Sequence, residues 1–353
     1  MKKQGKLILL LLSICLFHNA HAQTEAASKP VASISKLFMN TAILPIKVAY
    51  SNKDLDKKTN DSTYIDSEMG YREEDGTWKN LAVQLRARGL FRRENCYFPP
   101  VKIKIKKSIA KGTLFEGNKR LKLVLPCLQQ KEANDNVVKE YMAYKLYEII
   151  SPYHFKTRMV DVDFTESRGK NEKNHQLKGI LVEDDDLVAD RFNGKVMERS
   201  VHPLQQDDKT SVQNAFFQFM IGNTDFSTAF QHNQKLLFID KSTITLPYDF
   251  DMSGLVDASY AMVSGTEDQT MGITSVKQRV YRGFKRDMSV INAVRQEYLD
   301  HKAEMLAAMD ALKSSFDNPD DFSEAKAYIS SFFDVIADNN KFKSEIVDRL
   351  RTK

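Results

Sequence analysis

The chain of 353 residues has only three cysteines, with no Cys-x-x-Cys pair and no His-Glu-x-x-His string. The usual zinc motifs are therefore missing. No Gly-x-Ser-x-Gly elbow is present to carry an exposed nucleophilic serine. Walker-type and Gly-x-Gly-x-x-Gly phosphate loops are absent, as are EF-hand spacing, internal repeats and coiled-coil heptads. The longest apolar run, residues 7–17, is short of the roughly 20 residues that a membrane span needs. Charge of one sign is also lacking. The formal charge is +5, and without Lys2, Lys3 and Lys6 it falls by three to +2. So small an excess gives no argument for a nucleic-acid partner or an anionic membrane surface.

Those three lysines, the apolar run and Ala20-His21-Ala22 together read as a secretory signal over residues 1–22. A flexible leader is expected over 23–32, and no transmembrane segment after signal removal. The protein is then exported, either periplasmic or secreted. Cys96 and Cys127 flank two strand-like runs, 101–105 and 120–125, with a turn-rich stretch between them. An antiparallel hairpin there would bring the two cysteines roughly opposite each other. Two outcomes stay open: a disulfide, which an oxidising compartment permits, or two buried thiols.

Residues 33–183 are strand-rich. Alternation marks 81–88, further strands are expected at 158–164 and 179–183, and the polar stretch 166–173 reads as an exposed loop. Val138, Met142, Leu146 and Ile149 recur at helical spacing within 137–150. From 184 to 353 the pattern shifts to helix, with an apolar, aromatic helix at 211–221 and amphipathic stretches at 287–316, 321–338 and 341–350. A β-rich half followed by a helical half predicts an α+β molecule of two lobes, with a ligand cleft between them.

The densest chemistry lies in residues 220–254. Gly222-Asn223-Thr224-Asp225 follows the apolar helix, and His232-Asn233 comes shortly after. A hairpin with strands at 236–239 and 244–246 then leads into Asp249-Phe250-Asp251. A carboxylate, an amide and two further carboxylates in that order suit phosphoryl transfer. That chemistry asks the protein to hold phosphate and metal still and to orient a hydroxyl. Lys122 alternates with Leu121 and Leu123 and so faces away from them, as a phosphate-holding cation would. Glu140 on the following helix is placed to pair with it, with Glu148 as a rival. Asp249, Asp251 and Asn233 offer the hard oxygens that magnesium takes, although a structural calcium site would use the same atoms.

On these residues the chain resembles the CotH family of atypical secreted protein kinases, and most closely a group of largely uncharacterised exported bacterial proteins related to it. The resemblance rests on Leu85-Arg86-Ala87-Arg88-Gly89, Leu121-Lys122-Leu123-Val124, Lys139-Glu140-Tyr141 with Tyr144, 220–227 with His232-Asn233, and 247–256. It implies a protein-kinase-like fold, ATP with magnesium or manganese, and a protein serine or threonine hydroxyl as acceptor. Asp225 would be the catalytic carboxylate, Lys122 and Glu140 would bind the cofactor, and Asn233 with Asp249 or Asp251 would hold the metal. The eight residues from Asp225 to Asn233 exceed the usual five of kinase loops, and Met252 stands where an aromatic often follows the second aspartate. A catalytically inactive binding or assembly module of the cell envelope is the alternative that the same residues allow.

Overall fold

The alternation read at 81–88 becomes a strand whose side chains Leu81, Val83, Leu85 and Ala87 all turn inward. The computed structural model describes residues 33–130, 132–263 and 272–352, so the signal and leader segments lie outside the described residues. Seven strands form the first half: β1 (Leu44–Tyr50), β2 (Ile65–Arg72), β3 (Trp78–Ala87), β4 (Val101–Lys104), β5 (Arg120–Val124), β6 (Thr157–Arg168) and β7 (Asn171–Val182). They close into a barrel in the order β1-β2-β3-β4-β5-β7-β6. Every pairing is antiparallel except the closing one, in which β1 runs parallel to β6 with Leu44 beside Val160. The barrel is filled by Ile46, Val83, Ile103, Leu121, Val162 and Leu181 among others. Each fully buried aliphatic side chain there contributes about 1.5–3 kcal/mol.

This arrangement corrects the expected α+β, two-lobed protein-kinase-like fold. The chain instead forms a closed seven-stranded mixed barrel followed by helices and a separate three-stranded sheet. Local periodicity finds strands but says nothing of closure. The β1–β6 and β5–β7 pairings that close the barrel join segments far apart in the chain.

The second sheet is β8 (Lys195–Met197), β9 (Gln234–Ile239) and β10 (Ser242–Pro247), in the order β10-β9-β8. Helix Glu132–Ile150 is buried on nearly every side, because it packs between the outer face of β6 and β7 and helices Asp208–Ile221 and Lys302–Asp310. The amphipathic stretch 287–316 is not one helix. It breaks at His301 into Met288–Asp300 and Lys302–Asp310, and a 3₁₀ turn follows. The polar stretch 166–173 is the tip of the β6–β7 hairpin, and Glu166 is buried there by Tyr97, Arg168 and His175. Cys96 and Cys127 are joined in a disulfide with Cα atoms 4.6 Å apart, beside the antiparallel β4–β5 pair. Among the described residues, no helix is long and apolar enough to cross a membrane.

Candidate functional site

Helix Asp208–Ile221 ends in a Schellman turn. Gly222 takes φ 62° and donates to Phe219, while the Asn223 N–H reaches back to the Gln218 carbonyl at 2.8 Å. Beneath this turn runs a chain of buried amides. Asn214 donates to Gln234 at 2.8 Å, Gln218 to Asn214 at 3.2 Å, and Asn223 to Gln218 at 2.9 Å. Asn223 Oδ1 then accepts the backbone N–H of Asp225 at 2.9 Å. The loop carrying Asp225 is thus tied to β9 through the body of the helix. His232 Nε2 lies 3.1 Å from Asp225 Oδ1, and Asn233 Nδ2 donates to Asp225 Oδ2 at 2.9 Å. Beside that carboxylate the His232 imidazole is more easily protonated than usual.

Asp249 follows β10 in the left-handed region, at φ 65°, a conformation that non-glycine residues adopt mainly where surrounding contacts enforce it. Its N–H donates to the buried Tyr144 hydroxyl at 3.1 Å, and Arg88 Nη2 approaches its Oδ2 at 3.4 Å. Two residues on, Asp251 is buried. It accepts a hydrogen bond from Tyr260 at 3.0 Å, and Arg92 Nη1 lies 3.7 Å away. Burial pushes its carboxyl up to about 6, against the opposing charge of Arg92. Arg92 is anchored from its other nitrogen to the Leu125 carbonyl at 2.7 Å.

Lys122 leaves β5 on the outer face of the barrel, while Leu121 and Leu123 fill the inside. Its ammonium is sandwiched between the Phe155 and Tyr248 rings, 4.5 and 4.6 Å from their centroids. Burial, and then the nearby Arg88 charge, pushes its amine down to about 8, with Asp185, Asp184 and Asp249 working the other way. Glu140 is also buried, and its carboxyl is raised well above the ordinary range by that burial and by Asp251 and Asp249.

The structure joins Asn233 to Asp225 by hydrogen bonds, and the Asp225 and Asp249 charges both act on the buried Asp251, that of Asp249 also on Glu140 and Lys122. It does not form the expected Lys122–Glu140 ion pair. The cations that face Glu140 are Arg92 and Arg88, and the Lys122 amine has no hydrogen-bond partner among the described residues. Glu148, the rival, belongs to a separate cluster with Lys145, His154 and Lys156. Arg92, Tyr260 and Asp185 were not read from the sequence as site residues. Arg88 and Tyr144 were noted there without a role. The available signal was the pair of arginines four apart around Gly89, just where a strand ends.

Among the described residues no group of three or more His, Cys, Asp or Glu side chains lies close enough to hold a metal by itself. Magnesium usually takes only one or two carboxylates and leaves its other positions to phosphate and water. The donor chemistry fits such an ion. Asp249 Oδ1 and Glu140 Oε1 are buried oxygens without hydrogen-bond partners among the described residues. No protein-family profile matches this chain, and no curated protein matches it.

Proposed function

We propose that this protein is an exported phosphotransferase that moves the γ-phosphate of ATP to a serine or threonine hydroxyl of a protein, with magnesium. One observation carries the reading. Lys122 Nζ, Arg88 Nε, Arg92 Nη1, Glu140 Oε1 and Asp249 Oδ1 are buried atoms without a hydrogen-bond partner among the described residues, and the Asp249 charge acts on Lys122, Arg92 and Glu140. Buried polar atoms without hydrogen bonds are expensive even beside the Arg88–Asp249 and Arg92–Asp251 ion pairs, and a ligand that brings both phosphate oxygens and a cation would satisfy them together.

In this reading Lys122 steadies phosphate, with Arg88 nearby as further positive charge. Asp249 or Asp251, with the Asn233 side-chain oxygen, would hold magnesium, which when bound neutralises charge on the phosphate oxygens. Asp225 orients the acceptor hydroxyl. Its two oxygens already accept from His232 and Asn233, and a carboxylate has about four lone-pair sites, so room remains for a hydroxyl donor. The resemblance to CotH-like kinases supports this chemistry through its residues.

The test is transfer of label from ATP to a mixed protein acceptor by the parent and by Asp225→Ala. Loss of the positioned carboxylate should lower the rate by about 10²–10⁴-fold, with the unfolding midpoint nearly unchanged. Equal rates would refute the reading. Metal-dependent heat with ATP but no transfer by the parent would instead mark a non-catalytic binding module.

A further inference from the structure

The β4–β5 hairpin, Val101 to Val124, carries eight basic residues and one acid, Glu116. Its excess of seven positive charges is larger than the +5 of the whole chain, so charge is segregated onto one wall of the barrel. Val101 and Ile103 of β4 turn into the barrel, and Lys102 and Lys104 alternate outward. The register sets Lys102 opposite Arg86 on one side and Lys122 on the other, and Lys104 opposite Arg120. Like charges directly opposite each other destabilise a sheet. Counter-ions answer only the arginines. Asp61 pairs with Arg86 at 2.8 Å, and Asp184 and Asp186 pair with Arg120. Lys102, Lys104, Lys106, Lys107, Lys111 and Lys119 form no ion pair among the described residues, and all but Lys102 are exposed.

We propose that the outer face of β4 and the turn beyond it bind an acidic polypeptide in extended form. The spacing of the lysines supports this occupant. Lys106 is still extended, at φ −66° and ψ 137°, so Lys102, Lys104 and Lys106 continue one alternation. Side chains two positions apart on a strand lie about 6.6 Å apart, which is also the spacing of carboxylates at every second position of an extended partner. Phosphodiester partners are less well served. The arginines, whose planar fork suits phosphate, are already held by Asp61, Asp184 and Asp186, which leaves lysine point charges. The Tyr64 ring is likewise engaged, by Arg86 at 5.6 Å and Lys104 at 5.5 Å, and so offers no free platform for a base. Ile109 alone among the large apolar side chains of the hairpin is exposed, so there is little to enter a bilayer. Such binding needs neither ATP nor transfer of phosphate, and its outcome is independent of the phosphotransfer reading.

The probes are two fluorescein-labelled peptides, one alternating glutamate with threonine and the other glutamine with threonine. Fluorescence polarisation at low salt should show the parent binding the glutamate peptide about 10-fold more tightly, and the preference should shrink as salt is raised. The triple variant Lys104→Gln/Lys106→Gln/Lys107→Gln should lose that preference. Its unfolding midpoint should equal or exceed the parent's, because like-charge repulsion has been relieved. Lys241→Gln/Lys313→Gln/Lys341→Gln removes the same charge from exposed lysines outside the hairpin and should bind like the parent. Equal binding of the two peptides by the parent, or equal losses in the two triple variants, would overturn the proposal. So would tighter binding, at the same salt, to an oligothymidylate or to phosphatidylserine vesicles, which would assign the face to a phosphate-bearing partner.

Discussion

Asn233 holds Asp225 at two points with one nitrogen. Its Nδ2 donates to the Asp225 carbonyl at 2.6 Å and to the Asp225 carboxylate at 2.9 Å. The loop between them can therefore be long without loosening the carboxylate, and the Asn233 side-chain oxygen is left as the atom available to a cation. The eight-residue spacing, unusual beside kinase loops, is accommodated by the Ser227–His232 bridge between the two.

Two substitutions separate the hydrogen bonds of Asn233 from its backbone. Asn233 sits at φ 51°, so Asn233→Ala loses the side-chain bonds and adds left-handed strain of about 1 kcal/mol, whereas Asn233→Gly loses the bonds alone. Both variants should transfer phosphate slowly. Chemical denaturation should show the alanine variant less stable than the glycine variant by that amount. A parent-like rate in either would mean that Asp225 needs no such support.

Lys122 offers a test in which stability and function move in opposite directions. Its amine is pushed from 10.5 down to about 8, mainly by burial, so holding the charged form below pH 8 opposes folding by roughly 3 kcal/mol. Between pH 8 and 10.5 the unfolded chain binds more protons than the folded one, so this contribution makes stability rise with pH. Lys122→Met should be more stable than the parent at pH 7, lose that advantage as pH approaches 10.5, and be unable to transfer phosphate. Denaturant unfolding at pH 7 and pH 10 reads the first two. A destabilised Lys122→Met at pH 7 would mean that the aromatic sandwich stabilises the charge more than burial opposes it.

The disulfide gives a third prediction. It closes a separation of 31 residues, for which loop closure contributes about 3–4 kcal/mol. Cys96→Ser, or reduction of the parent, should lower unfolding free energy by about that amount. It should also loosen the end of the short helix Leu90–Asn95 that carries Arg92, because Cys96 caps that helix and the Tyr97 N–H binds the Cys127 carbonyl at 2.8 Å. Unfolding curves with and without reductant measure the first effect, and an unchanged midpoint would contradict it.

What was legible in the sequence was local. The β9–β10 hairpin, the helix that buries Glu140 and the outward face of Lys122 follow from periods of 2 and 3.6, and they fall where those periods put them. The order of acidic residues after the apolar helix led to Asp225, Asn233, Asp249 and Asp251, of which Asp225 and Asn233 are in direct contact. The partners of Glu140 were not legible, because Arg88 and Arg92 come from the end of β3 and the short helix Leu90–Asn95 beyond it, brought over by barrel closure. Barrel closure hides the fold from local pattern for the same reason. A parallel β1–β6 pairing leaves no mark on the sequence, since Leu44–Tyr50 alternates as it would in an open sheet and the first residues of β6 are simply buried on both faces.

The end of helix Asp208–Ile221 supplies the last prediction. A Cβ on Gly222 would fall 1.9 Å from the Tyr328 hydroxyl oxygen and 3.1 Å from its ring carbon, at a backbone φ of 62°. Gly222→Ala should therefore destabilise by about 1 kcal/mol from conformation, and by more from the clash. Tyr328→Phe removes the oxygen at 1.9 Å, together with its hydrogen bond to the Lys277 carbonyl, which is worth about 1 kcal/mol. In a double-mutant cycle the two should couple favourably by about 1 kcal/mol or more, because the second change relieves part of the first. If backbone strain alone made glycine necessary here, the two effects would simply add. A favourable coupling shows instead that the Tyr328 hydroxyl, which closely approaches both Gly222 and Gly254, excludes a side chain where the Asp225 loop leaves its helix.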